Sequence, residues 1–298
     1  MSVIFEVILP TFFIFLIGFI VQKWKKMNIV SVSTVAVYIL SPMLVFRTFY
    51  TVTLDQQYLY MTLFAFLLLG ALILVNKIYS KLLRYPQDVE SALILSTAFM
   101  NAGNYGAPIV LFAFGDAGFA YAVSFLVLQS LIMNFFGVYY AARGRQGMKP
   151  AIGAVFKMPI TYTLVIGILF NVLKIPVPNG AYAAIDLVAD AAIPVAMIIL
   201  GMQLAELKLG RYFEKGKVLY GVIVRMVISP LLTIIIMMLF PFDPLLKKVL
   251  IVSTAMPTAV TTTMYALQFN TLPMLVSSIT FVTTVLSIFT ITILLLLL

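Results

Sequence analysis

Two stretches place polar and helix-breaking residues inside otherwise apolar runs. One reads Ser96-Thr97-Ala98-Phe99-Met100-Asn101-Ala102-Gly103-Asn104-Tyr105-Gly106-Ala107-Pro108, and the other Ser253-Thr254-Ala255-Met256-Pro257-Thr258-Ala259-Val260-Thr261-Thr262-Thr263. Proline removes a backbone donor and clashes with the preceding turn, and glycine adds backbone freedom, so a regular helix should not run through either stretch. Each break would expose a half-helix N-terminus worth roughly half a positive charge. Two converging N-termini would favour an anion with no Arg at the membrane centre. Packing kinks use the same residue types, but two Asn, two Gly and a Pro together are costly to keep in lipid without a use.

Other chemistries are excluded by what is missing. The sequence holds no Cys and no His, which removes disulfides, thiolate chemistry and the commonest metal ligand. No cofactor and no metal are therefore expected. An intramembrane enzyme would want a Ser-His pair, a zinc motif or two facing aspartates. Asp186 and Asp190 instead sit one turn apart in a single run.

The elements that must position these residues follow from composition. Apolar residues make up 63% and charged ones 10% of 298, with a mean hydropathy of +1.13, far outside the range of soluble domains. At roughly 20 to 25 residues per crossing there is room for about ten membrane helices and no soluble domain. The expected fold class is all-α integral membrane, with spans at 3–21, 29–50, 57–79, 89–113, 117–141, 155–174, 181–205, 217–240, 245–269 and 272–297. Residues 3–21 lack a signal peptide's basic start and cleavage site, so they read as a retained helix. The net charge of +9 resides in short loops beside apolar spans, which argues for an orientation signal and against nucleic acid.

Basic residues follow the odd-numbered spans: Lys23, Lys25 and Lys26; Lys77, Lys81 and Arg84; Arg143, Arg145, Lys149 and Lys157; Lys208, Arg211, Lys215 and Lys217. Both termini are thus expected outside a cell (inner or plasma) membrane. Lys247 and Lys248 dissent; a snorkelling pair or a miscounted helix would each account for them. The longest polar connection, 143–157, separates a first five-helix unit (1–142) from a second (158–298). Two odd-numbered units joined head to tail must be inverted. Pro10 pairs with Pro159, Pro42 with Pro194 and Ser96-Thr97-Ala98 with Ser253-Thr254-Ala255, at offsets of 149, 152 and 157. Broken helices at matching positions of two such units point to a midplane site.

Further polar residues lie within the spans. Asp190, mid-span before Pro194, is a candidate for coupling to an ion, or else a packing partner for the kink. Asp186 reads as solvated and Glu6 as interfacial; Gln129 and Asn134 read as interhelical hydrogen-bond partners. Arg225, early in its span, can snorkel to the cytoplasmic face and need not be a substrate clamp. Ser41, before Pro42, either lines a cavity or bonds back to its own helix.

With these residues in view, the sequence resembles the auxin efflux carrier family, or PIN-like transporters, in its bacterial branch. The resemblance rests on Asn101 to Pro108, Phe114-Gly115-Asp116-Ala117-Gly118, Val127-Leu128-Gln129, Arg143-Gly144, Leu200-Gly201-Met202-Gln203-Leu204-Ala205 and Ala255-Met256-Pro257, collinear over both halves. It implies a scaffold domain, a transport domain whose fourth and ninth spans cross where they unwind, and elevator-type alternating access. It also implies substrate binding at Asn101, a crossover at Pro108 and Pro257, and a polar backbone lining at Gly106 and Thr258. Asn104, Thr261 and Ser41 complete the substrate-binding candidates. The long central loop of plant carriers is missing, and the acid and lysine of their third span have no counterpart in 58–75. The expected function is secondary transport of a small organic anion such as malate, malonate or an auxin-like carboxylate, with the bilayer and that anion as partners and a homodimer left open. A sodium-coupled symporter of the bile-acid carrier type is the alternative, disfavoured because no acidic pair lies near the crossings.

Overall fold

The computed structural model describes residues 6–7, 9–52, 55–143, 159–206 and 215–298. Most of the connection expected at 143–157, with Arg145, Lys149 and Lys157, lies outside the described residues, as do Lys208 and Arg211. Among the described residues the regular structure is helical. The elements are α1 (Leu9–Lys25), α2 (Ile29–Thr51), α3 (Gln56–Leu82), α4 (Gln87–Thr97), α5 (102–114) and α6 (116–142). They continue with α7 (Pro159–Val172), α8 (Asn179–Glu206), α9 (Lys215–Met237), α10 (Pro244–Thr254), α11 (Val260–Phe269) and α12 (Pro273–Leu297).

Six runs among the described residues are long and apolar enough to cross a membrane: Ile29–Thr51, Gln56–Leu82, Ala102–Ala142, Asn179–Glu206, Lys215–Met237 and Pro273–Leu297. The other expected spans differ for local reasons. α4 and α10 are 11 residues each, because the chain leaves the helix at both polar stretches. α7 is described over 14 residues and α1 over 17. The run from Ala102 to Ala142 contains Gly115 at φ 65 and ψ −165, in the left-handed half of φ space that glycine adopts without a Cβ clash. A Cβ built on Gly103 would stand 3.2 Å from Leu126 Cδ1, although 23 residues of straight helix span about 35 Å. The chain therefore reverses at Gly115.

The intramembrane prolines shape the helices in a shared way. Wide π-turns occupy Ala36–Leu40, Ala102–Gly106 and Val224–Ile228, each ending two residues before Pro42, Pro108 or Pro230. The amides of Ser41, Ala107 and Ser229 donate five residues back, to Ala36, Ala102 and Val224. Widening the turn relieves the clash that a proline ring makes with the carbonyl behind it.

Glycine sets two close helix crossings. α1 and α8 approach so nearly that a Cβ on Gly18 would lie 2.2 Å from the Ile198 carbonyl oxygen, and one on Gly201 2.0 Å from that of Phe15. α7 approaches α2 through Gly167, whose added Cβ would meet Phe49 Cβ at 3.2 Å and the Phe46 carbonyl at 3.3 Å. Small residues let apolar helices approach where no hydrophobic force drives association. Outward surfaces carry exposed Phe13, Leu59, Leu187, Met238 and Phe289, while Leu93, Ile94, Leu95, Ile109 and Val110 around the first break are fully buried.

Gly201→Ala should lower the thermal unfolding midpoint in detergent, because backbone surrounds the added methyl and overpacking costs about 1–3 kcal/mol. Gly70→Ala, whose Cβ would meet nothing within 4 Å, should leave the midpoint unchanged or raise it slightly.

Candidate functional site

The site begins with an accounting of backbone groups. Interrupting a helix in an apolar interior orphans N–H and C=O groups that no water can reach. The two breaks satisfy one another. Between α4 and α5, and between α10 and α11, the chain leaves the helix, and the two segments meet in an antiparallel bridge with Met100 opposite Thr258. Asn101 N–H donates to the Pro257 carbonyl at 2.9 Å, and Ala259 N–H donates to the Phe99 carbonyl at 3.0 Å. The Thr258 hydroxyl donates to the Ser96 carbonyl, and Thr258 N–H donates to Thr283 Oγ1 at 3.3 Å.

The C-terminal ends of α4 and α10 converge on Arg225. Its Nη1 donates to the Thr97 carbonyl at 2.8 Å, and its Nη2 to Ser229 Oγ at 2.6 Å and to the Thr254 carbonyl. Arg225 is 0% exposed, which corrects the reading that it can snorkel to the cytoplasmic face. Three acceptors within reach, two of them helix-end carbonyls, outweigh the loss of solvation at the helix end. The hydroxyls behind those carbonyls are held alike: Asn76 Nδ2 donates to Thr97 Oγ1 at 2.8 Å, and Thr233 Oγ1 donates to Thr254 Oγ1 at 2.9 Å.

The opposite poles open on a cavity of about 340 Å³. The starts of α5 and α11 reach its wall through Ala102, Gly103 and Asn104 and through Ala259 and Thr261. First-turn amides of a helix have no partner within it. Five carboxamides, from Asn101, Asn104, Gln129, Asn134 and Gln203, share the lining with the hydroxyls of Ser33, Ser41, Ser130 and Thr261. Phe99, Met100, Leu126 and Met264 are among its apolar members. The Tyr265 hydroxyl donates to Asn134 Oδ1 at 2.6 Å, whereas buried Gln203 Oε1 and Ser33 Oγ have no hydrogen-bond partner among the described residues. Among the described residues no Asp, Glu, Lys or Arg lines the cavity. It offers amide donors and two helix N-termini, a combination that holds a carboxylate without a cationic side chain.

The structure thus brings Asn101, Asn104, Thr261 and Ser41 to one cavity wall. Pro108, Gly106, Pro257 and Thr258 are absent from it. Pro108 opens the α-helical part of α5, and Gly106 admits Met256, whose Cγ would stand 3.1 Å from an added Cβ. Pro257 and Thr258 act in the pairing of the two breaks. Gln129 and Asn134 line the cavity, with Asn134 also making the interhelical bond expected of it.

Asp190 lies elsewhere. A second cavity of about 590 Å³ is lined by Arg47, Asp116, Tyr182, Asp186 and Asp190. Arg47 Nη1 donates to Asp186 Oδ1 and to Asp190 Oδ1, both at 2.6 Å. The Asp190 side chain is 67% exposed there, so it is not the buried carboxylate expected from its mid-span position: a bend at Ala191 and the cavity beside α2 open it. Asp186 is ion-paired rather than merely solvated. Arg47 was overlooked; a lone cation within the apolar 29–51 run, opposite two aspartates at helical spacing, is the signal that could have found it. Lys248 Nζ donates to the Leu298 carbonyl at 2.6 Å, a local partner for one of the two dissenting lysines. Among the described residues no group of three or more His, Cys, Asp or Glu is placed to hold a metal ion.

Comparison with known proteins agrees with a membrane role. A family model described as "Membrane transport protein" matches residues 3–151 and 148–295. An uncharacterized transporter of Methanothermobacter thermautotrophicus is 28% identical over 196 residues, covering 65% of this chain and 64% of that relative. The chain thus spans just under two thirds of that relative's length. An uncharacterized transporter of Methanocaldococcus jannaschii is 26% identical over 305 aligned positions, covering 95% of this chain and 94% of the relative.

Asp190→Asn alone should lower stability by no more than about 1 kcal/mol, since the Asp190 carboxylate is largely exposed and Asp186 still holds Arg47. The Asp186→Asn, Asp190→Asn double variant should lose more than the sum of the single variants. It leaves Arg47, only 20% exposed, without a carboxylate. Thermal unfolding of all three in one detergent checks this.

Proposed function

We propose that this chain, which belongs to the Membrane transport protein family, the auxin efflux carrier-like transporters, is a secondary carrier of small organic anions. It is a multi-pass membrane transporter rather than an enzyme. Malate, malonate and auxin-like carboxylates are the proposed substrates. The observation that carries this reading is the uncharged, carboxamide-lined cavity onto which two helix N-termini open. Such a site exchanges a carboxylate's water shell for fixed N–H donors and offers a cation nothing equivalent. With no carboxylate on that wall among the described residues, sodium has no acidic ligands from them, and the anion carrier is preferred to a sodium-coupled symporter.

Alternating access supplies the mechanism. The proposed architecture has ten crossings in two inverted units, 1–142 and 158–298, joined by a cytoplasmic connection at 143–157. Recurrent spacings support it: Asn76 to Thr97 and Thr233 to Thr254 are like bonds 157 positions apart, and the crossing glycines Gly18 and Gly167 stand 149 apart, as do Pro10 and Pro159. In this reading α1, α2, α7 and α8 form a scaffold and the remaining helices a transport unit. Both cavities have walls from each group, as expected of a boundary along which one slides past the other. With both termini outside, the carboxamide cavity opens inward and the Arg47 cavity outward. Asp190, beside Arg47 on the outward side, is the proposed coupling residue.

In liposomes the purified chain should move labelled malonate or malate, and Asn101→Ala should reduce that flux at least tenfold while leaving the thermal midpoint within a few degrees. If no carboxylate moves, or if Asn101→Ala transports like the wild type, the reading fails.

A further inference from the structure

Within the carboxylate-carrier reading, on which the inference rests, Arg225 has a task that burial and hydrogen bonding alone do not describe. Each broken helix presents two opposite poles: α4 and α10 end in negative half-charges at Thr97 and Thr254, and α5 and α11 begin in positive ones beside Asn101 and Ala259. Thr97 and Asn101 are four residues apart, within about 14 Å even for extended chain. At that distance in a weakly screened interior the negative ends would largely cancel the attraction of the positive ends for an anion. The guanidinium donates to both negative ends at once. An arginine stays protonated, and no carboxylate pairs with this one among the described residues. The position 157 residues earlier, matching the spacing of Thr97 and Thr254, is the buried Leu68, so one cation serves both helix ends.

We propose that Arg225 is the positioning residue that makes the cavity select anions, by neutralising the C-terminal poles of α4 and α10 so that the N-terminal poles of α5 and α11 act on the substrate unopposed. It touches no substrate: Arg225 is absent from the cavity wall. A monocarboxylate, or one carboxylate of a dicarboxylate, would match the two half-charges that remain. Selectivity for charge thus comes from behind the site, while the carboxamides in front determine shape.

The test compares malonate with malonamide, a neutral analogue of similar size, by thermal shift on the full-length protein in detergent, with hydrogen exchange to verify the fold. The wild type should bind malonate more tightly than malonamide. Arg225→Met should reduce that ratio about tenfold or more, with malonamide binding nearly unchanged and hydrogen exchange faster at both 97–101 and 254–258. Arg225→Lys, which retains the charge, should keep the ratio within a few-fold of wild type, so it serves where the methionine variant fails to fold. A folded Arg225→Met protein with the wild-type ratio, or an Arg225→Lys protein whose ratio falls to one, overturns the inference and leaves the carboxylate carrier standing. A wild type that does not distinguish malonate from malonamide overturns both.

Discussion

Backbone amides and carbonyls cannot be left unpaired in an apolar interior. The pairing of Asn101 N–H with the Pro257 carbonyl, and of Ala259 N–H with the Phe99 carbonyl, is the solution on which the rest of this molecule depends. Either break alone would leave several orphaned groups. Set antiparallel, each supplies acceptors and donors to the other, and further groups go to Thr258, Thr283 and Arg225. Because the two segments need each other, the four half-helices form one unit with a defined geometry.

That geometry sorts charge by direction. Negative helix ends gather on the guanidinium of Arg225, and positive ends face a cavity whose polar groups are amides and hydroxyls. In the proposed anion carrier, a lining arginine would hold the cargo more strongly but also slow its release. Partial charges on backbone and carboxamides suit a site that binds from one side and empties on the other.

Packing around the crossing is uneven. Gly18 and Gly201 bring α1 and α8 into backbone contact, and Arg47 ties α2 to Asp186 and Asp190 on α8. These contacts join helices within one group. The boundary with the helices that carry the breaks holds both cavities beside packed contacts such as Phe15 against Tyr105 and Val45 with Val127. In the proposed alternating-access cycle, motion along such a boundary would cost fewer packed contacts than motion through either group.

Much of this was legible in the residues. The membrane class follows from composition, and the two breaks follow from Pro108, Pro257 and the glycines and asparagines near them, because local backbone chemistry is written in local sequence. Asn101, Asn104 and Thr261 were recognisable as polar residues beside those breaks, and Ser41 as one beside Pro42. Arg47, Gln203 and Ser33 were not, since each joins its site from a distant helix and no periodicity reports which faces meet. Arg225 and Asp190 were misplaced for the same reason: a charge in an apolar run can reach a helix end, a partner or a cavity, and its own neighbours in sequence do not say which. Residue type and order by themselves determined that the helices must fail at two places. Only the tertiary structure decided that the failures meet and which side chains surround them, because an orphaned backbone group accepts any partner the fold brings within about 3 Å.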